Sequence, residues 1–360
     1  MKNFTKYIYI IIVVFVAGIL KTQAQGCVAV RSVGGVCNLN GSRSNFLQKG
    51  EFQLSTSFRY FKSFRHFKGR EEQPQRVENG TEVINHSSSL DITLTYALNQ
   101  RLNLNLNIPL VYNDRSSLYE HGGKERHHTY SKGLGDIRLS ASYWLLNPDT
   151  YKNFNLAVGL GVKSNSGNYN AQDVFYTADG STVTKPVDQS IQPGDGGWGA
   201  TFEIQGYGKL AKNLYSYGNA YYLLNPRQTN GTVTGRAGTE AIMSVPDQYM
   251  ARLGFTYVIP AIHGLAASLG GRYEGIPVYD ITGGSEGFRR PGKIASVEPG
   301  ISYMKGKSTF SLNVPVALFR QRTQSVGDKQ KELATGKITN GDAAFADYLI
   351  NVNFVHRFGK

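Results

Sequence analysis

FADYLINVNFVHRF, residues 345–358, is the stretch that decides the fold. Tyr348, Ile350, Val352, Phe354, His356 and Phe358 occupy every second position, all but His356 apolar or aromatic, Asn351, Asn353 and Arg357 lie between them, and only Gly359 and Lys360 follow. A period of two puts the two sets on opposite faces of an extended strand. Eleven earlier segments alternate in the same way, over residues 51–62, 90–96, 102–112, 136–145, 153–163, 199–207, 214–223, 248–258, 265–274, 294–303 and 309–319. The third is the clearest: Leu102, Leu104, Leu106, Ile108 and Leu110 alternate with Asn103, Asn105 and Asn107. Lipid on one face and water on the other is the simplest physical reason for such a pattern. Each segment is close to the length of a tilted membrane strand.

Connection lengths support the same reading. The links near Asn99, Pro148, Lys212, Ile262 and Lys305 are short, whereas those between them are long. Outer-membrane barrels alternate in this manner, with tight periplasmic turns and extended external loops, and an even strand number brings both chain ends to one side. The expected fold is therefore all-β, a transmembrane antiparallel β-barrel of twelve strands over residues 51–360. Pro299 and Pro315 fall inside expected strands, where bulges or local strand ends are anticipated.

The N-terminus carries an export signature. Lys2 and Lys6 precede an apolar run over residues 7–20, and Thr22-Gln23-Ala24-Gln25-Gly26 forms a small-residue exit. The run is shorter than the ~20 residues of a membrane-spanning helix, so residues 1–26 read as a signal peptide. Residues 27–50 are expected to form a periplasmic or inward-folded segment. Cys27 and Cys37 allow a short-loop disulfide or, for Cys27, lipidation. The expected location is the bacterial outer membrane, in contact with its lipid and lipopolysaccharide.

Removing Lys2, Lys6 and Lys21 lowers the formal charge from +13 to +10. The remaining basic residues are scattered without an arginine-rich helix or finger spacing, so no nucleic-acid partner is expected. No nucleophile elbow, phosphate loop or dinucleotide fingerprint is present, and neither an enzyme nor a cofactor is expected. Ser116, Ser117, His121, His127 and His128 crowd one external loop near Asp136, but crowding in sequence establishes neither a catalytic geometry nor a metal site. A solvated polar loop is the reading adopted for them.

The face opposite the apolar stripe carries Arg59, Asp91, Arg138, Lys163, Glu203, Arg252, Arg272, Glu274 and Glu298. Charges are costly in lipid, so these belong in the lumen, either touching a solute or forming a stiffening ion-pair network. Gly159, Gly161, Gly254 and Gly270 share that face and could leave room for a solute or relieve curvature. Asp136, Trp198, Arg289 and Arg290 stand at strand ends as candidate rim residues.

Three glycine-rich elements carry a family resemblance. Gly133-Leu134-Gly135-Asp136, the strand end at Lys163 followed by Ser166-Gly167, and Gln192-Pro193-Gly194 with Gly197-Trp198 are similar to motifs of the outer-membrane family named for the meta-pathway of phenol degradation. That family is distantly similar to long-chain fatty-acid transport barrels. The resemblance spans roughly residues 50–360, with Ser164-Asn165-Ser166-Gly167 standing where the family more often has Pro-Thr-Gly. It implies passive uptake of small hydrophobic or aromatic compounds, and matches Asp136, Lys163 and Trp198 to the family pattern. The expected function is an outer-membrane channel for such a small-molecule solute. The alternative is a non-conducting outer-membrane anchor or scaffold for surface or secretion machinery, and a periplasmic or surface protein is a candidate partner.

Overall fold

A computed structural model describes residues 46–359. The expected signal peptide, both cysteines and most of the expected N-terminal segment lie outside the described residues.

Twelve antiparallel staves close into a barrel. In chain order they are β1 (Phe52–Lys68), β2 (Ile84–Ala97), β3 (Leu102–Ser117), β4 (His127–Leu134 and Arg138–Trp144), β5 (Phe154–Lys163), β6 (Gly199–Ala211), β7 (Leu214–Leu224), β8 (Gln248–Val258), β9 (Leu265–Ile276), β10 (Gly292–Lys305), β11 (Ser308–Asn313 and Val316–Arg322) and β12 (Asp342–Phe358). Each stave pairs with its sequence neighbours, and closure comes from β1 against β12, from Phe52 opposite Phe358 to Lys68 opposite Asp342. Closure removes the free edges that an open sheet would expose, the condition for crossing a membrane with strands. No described helix is long and apolar enough to cross.

The outer surface explains the alternation. Leu139, Leu160, Phe255 and Leu318 point away from the lumen and are exposed, and Leu253 is 69 % exposed. Only hydrocarbon can cover such a belt without cost. Aromatic residues edge it at both ends: Phe52, Tyr143, Phe154, Tyr303 and Phe310 near the turns, and Tyr112, Tyr130, Tyr273 and Tyr348 towards the loops. That is the girdle arrangement of membrane barrels.

The polar alternates face inward and bond across the staves. Asn105 accepts from the Thr95 hydroxyl at 2.9 Å, and Asn107 donates to Thr93 at 3.0 Å. Near the turns the interior becomes apolar, where Trp144, Tyr207, Tyr215 and Tyr217 cluster and Phe46 packs on Trp144 and Tyr207 at 5.2 and 5.8 Å.

Three of the four inward glycines have no spare room. A Cβ on Gly254 or Gly270 would lie within 2.6 Å of the Tyr217 hydroxyl. The phenol takes the space that the glycines leave. Similarly, a Cβ on Gly161 would meet Ser140 at 2.5 Å and Thr201 at 2.7 Å. Gly159 is roomier, its nearest neighbour being the Glu203 Cβ at 3.3 Å.

The prolines act together. Pro315 splits β11, while Pro299 remains within an unbroken β10. Val297 pairs with Val316 and Gly300 with Asn313, so Pro299 faces the gap that Pro315 creates. Neither has an N–H to give to the ladder. Their carbonyls are still used, that of Pro299 by the Val314 N–H and that of Pro315 by the Leu349 N–H, both at 3.0 Å.

Candidate functional site

The three glycine-rich elements converge near the loop end of the barrel wall. β4 is interrupted after Leu134, and Gly135 donates its N–H to the Pro109 carbonyl at 2.8 Å. The interruption buries the carboxylate of Asp136 against the loop that joins β5 to β6. One oxygen of Asp136 accepts the Gly167 N–H at 3.0 Å, and the other accepts the Asp195 N–H at 3.1 Å and Lys163 Nζ at 3.2 Å. Lys163, at the end of β5 and 1 % exposed, also reaches Asp195 Oδ1 at 2.5 Å and the Gly197 carbonyl at 2.6 Å. Three ammonium protons thus meet three acceptors, the condition for burying a lysine without leaving a donor unpaired.

This lock turns residues 164–198 over the barrel mouth. A two-stranded hairpin, Gln172–Tyr176 with Thr182–Pro186, packs Phe175 with Ala171, Val187 and Ile191. Gln192 secures its base, accepting the Ala171 N–H at 2.8 Å and donating to the Val187 carbonyl at 2.9 Å. The segment that follows the hairpin is held from the opposite wall. Both Nη atoms of Arg290 donate to Asp188, at 2.8 and 2.7 Å, and Arg115 approaches to 3.5 Å. Burial alone would push the Asp188 carboxyl up, but Arg115 and Arg290 outweigh it and hold the group well below the usual carboxylate range. The Ile191 carbonyl accepts from Asn113 Nδ2 at 3.1 Å and from the Ser131 hydroxyl.

Beneath residues 189–195 lies a cavity of about 200 Å³. Asp136, Arg138, Lys163, Gln189, Asp195, Gln248 and Arg290 supply its polar wall, and Leu223, Met243, Pro246 and Ile276 its apolar one. A cavity of about 150 Å³ holds a benzene ring, so this one has room for a solute of one-ring size.

The expected lumen residues fall into separate groups. Asp136 and Lys163 share the lock. Arg138, buried, lies with its guanidinium 5.6 Å from the Tyr221 ring centre. Arg252 pairs with Glu298, Nε to Oε2 at 3.1 Å, and Arg272 grips Glu274 at 3.0 and 2.8 Å. Glu203 accepts from Asn219 at 2.9 Å. Arg59 and Asp91 stand on the neighbouring staves β1 and β2.

The four rim candidates do not form one site. Asp136 and Arg290 reach the cavity. Arg289 is fully buried in a two-pronged pair with Asp280 at 2.8 and 2.6 Å. Trp198 is 61 % exposed. The loop histidines are engaged in packing: His121 stacks on Phe175 at 5.1 Å and His127 on Tyr176 at 3.9 Å, while His128 Nδ1 lies 2.6 Å from Asp114. Among the described residues no histidine, cysteine, aspartate or glutamate group is arranged to hold a metal.

Asp188, Arg115 and Asp195 were not among the expected site residues. Asp195 had a local signal, since it sits inside the glycine-rich Gln192-Pro193-Gly194 element. Asp188 had none, because its partners are 73 and 102 residues away in the chain.

No protein-family model matches the chain. No curated protein matches it either. Among solved structures it is similar to the Pseudomonas putida toluene transporter TodX, with 11 % identity over 93 % of this chain and 96 % of that one and a TM-score of 0.42. It is also similar to the β domain of the Bordetella autotransporter BrkA, with 13 % identity over 86 % and 100 % of the two chains and a TM-score of 0.47. A Pseudomonas aeruginosa FadL homologue is similar at 8 % identity over 87 % and 91 %, with a TM-score of 0.42.

Proposed function

We propose that the protein is an outer-membrane channel for passive uptake of small solutes, with the 200 Å³ cavity as the solute site and residues 164–198 as its gate. The observation that carries this reading is the manner in which the loop is held. The stretch between the hairpin and β6 rests on charge pairs, Asp188 with Arg290 and Lys163 with Asp195, whose members regain water when the loop lifts. A permanent plug would be better served by continuous apolar packing.

The mixed wall of the cavity suits a solute with an apolar body and one polar group. Leu223, Met243 and Ile276 would meet the body, and the amides of Gln189 and Gln248 the polar end. Small aromatic or hydrophobic compounds, which the motif resemblance implies, fit that description. Uptake would run down a gradient, and no catalytic role is proposed.

The test is flux. Mature protein reconstituted into liposomes and planar bilayers is compared with empty membranes for ions, sugars, phenolic acids and short fatty acids. Saturable entry of one-ring solutes in preference to sugars is expected. A folded barrel that passes none of them sinks the channel reading and favours a non-conducting anchor or scaffold.

A further inference from the structure

The outward face of β1–β4 changes character rung by rung, and the register fixes the order. Phe58, Leu90, Leu110 and Leu134 lie side by side and are apolar. The next rung towards the loops is Tyr60, Ser88, Tyr112 and Lys132, and the one above it Lys62, His86, Asp114 and Tyr130. Leucine gives way to tyrosine and then to charge within two rungs, which locates the hydrocarbon boundary on this side of the barrel at Tyr60 and Tyr112. Lys62 and Lys132 stand at or just above that boundary, at the level of lipid headgroups.

Both lysines are exposed, and neither forms an ion pair among the described residues. Lys62 is splayed over the Phe64 ring, 4.9 Å from its centre, which keeps its ammonium group on the outer face. The acid between them is already engaged: Asp114 lies 2.6 Å from His128. His86 is held by the Tyr60 hydroxyl at 2.8 Å. The face thus offers a ligand two lysines without ion-pair partners, beside the carboxylates of Asp114, held by His128, and Asp173, held by the Tyr130 N–H at 2.6 Å. Three interstrand steps and one rung separate the two lysines, a span of roughly 16 Å along the sheet. That is too far for one phosphate to bridge.

We propose that Lys62 and Lys132 bind a bis-phosphorylated glycolipid headgroup of the loop-side leaflet, one phosphate at each lysine. Tyr60 and Tyr112 pack beneath and between the two contacts, and Tyr130 stands one rung above Lys132. The site is independent of the lumen and of whether the barrel conducts. Each lysine near a charged membrane surface contributes about 1 kcal/mol, so the pair favours the doubly charged lipid over a singly charged one about five-fold.

The experiment is lipid retention measured by native mass spectrometry on the purified, folded barrel. It is incubated with bis-phosphorylated lipid A, monophosphoryl lipid A or phosphatidylglycerol. Wild type is expected to retain the bis-phosphorylated form about five-fold more than the other two. The Lys62→Ala/Lys132→Ala double variant should lose that preference, while Lys62→Arg/Lys132→Arg keeps it. A Lys209→Ala/Lys305→Ala control removes two cations at the turn end and should leave it unchanged. Heat-modified gel mobility verifies that every variant is folded. Equal retention of the three lipids by wild type, or an undiminished preference in the alanine double variant, overturns the proposal.

Discussion

Gly167 and Gly194 meet backbone against backbone. A Cβ on Gly167 would lie 2.7 Å from the Cα of Gly194, and one on Gly194 only 2.5 Å from the Gly167 carbonyl oxygen. The contact brings two distant parts of the loop onto Asp136, which takes the N–H of Gly167 and that of Asp195 on its two oxygens. Gly194→Ala would therefore push the loop off its lock. The expected cost is about 1–3 kcal/mol, read as a lower unfolding midpoint together with faster proteolysis within residues 164–198. An alanine variant with wild-type protection would show that the contact yields without consequence.

Lys163 stands between two carboxylates, so its loss is worse than the loss of one contact. In Lys163→Ala, Asp136 and Asp195 would face each other without a cation, and breaking a buried pair by removing one member costs about 3–5 kcal/mol. Asp195→Asn leaves Lys163 with Asp136 and should cost less. Denaturant midpoints of the two variants in the same detergent give the comparison. Equal destabilisation would place the lock elsewhere.

Asp188 gives the loop a defined acid response. Its pKa is lowered in the folded protein, so its contribution is complete above the ordinary carboxylate value near 4 and is lost as pH falls below that value. Loop protection attributable to Asp188 is expected to be flat from pH 5 to 8 and to fall below pH 4. Asp188→Asn should produce the loosened loop at neutral pH. Limited proteolysis across that range distinguishes the two proteins.

His121 acts at a higher pH. Burial, and then His127 beside it, lower its pKa from the ordinary 6.5. A base that is harder to protonate when folded stabilises fully above its unfolded value and loses that contribution as pH falls below about 6.5. Its Nδ1 accepts the Tyr176 N–H at 3.3 Å, so hydrogen exchange at Tyr176 should accelerate as pH is lowered from 7 to 5.5, after correction for the intrinsic rate. His121→Phe keeps the stacking and should abolish the effect. Persistence of the pH dependence in that variant would assign it to another group.

The apolar belt ends before the staves do, and this marks where sequence reading stops. Residues 345–358 and their eleven counterparts were legible because lipid demands an apolar side chain at every second position. Beyond Tyr60 and Tyr112 that demand lapses, yet backbone pairing continues to Lys68 in β1 and Ser117 in β3. The upper half of β4, His127–Leu134, had no alternating signal for the same reason. The helix Val326–Thr335 was also unread, although Ser325 and Asp328 form a capping box at its start.

The sequence by itself determined the barrel, its strand order and the end that bears the long loops, because a local period of two and the spacing of turns suffice for each. It also marked Asp136, Lys163 and the glycines around Gly194 as unusual. Only the tertiary structure decided that these elements are one lock, that Tyr217 fills the space above Gly254 and Gly270, and that Asp188 meets Arg290. Those relationships join residues from different staves and loops. No periodicity encodes them, since they depend on which side chains barrel closure and loop folding bring within hydrogen-bond reach.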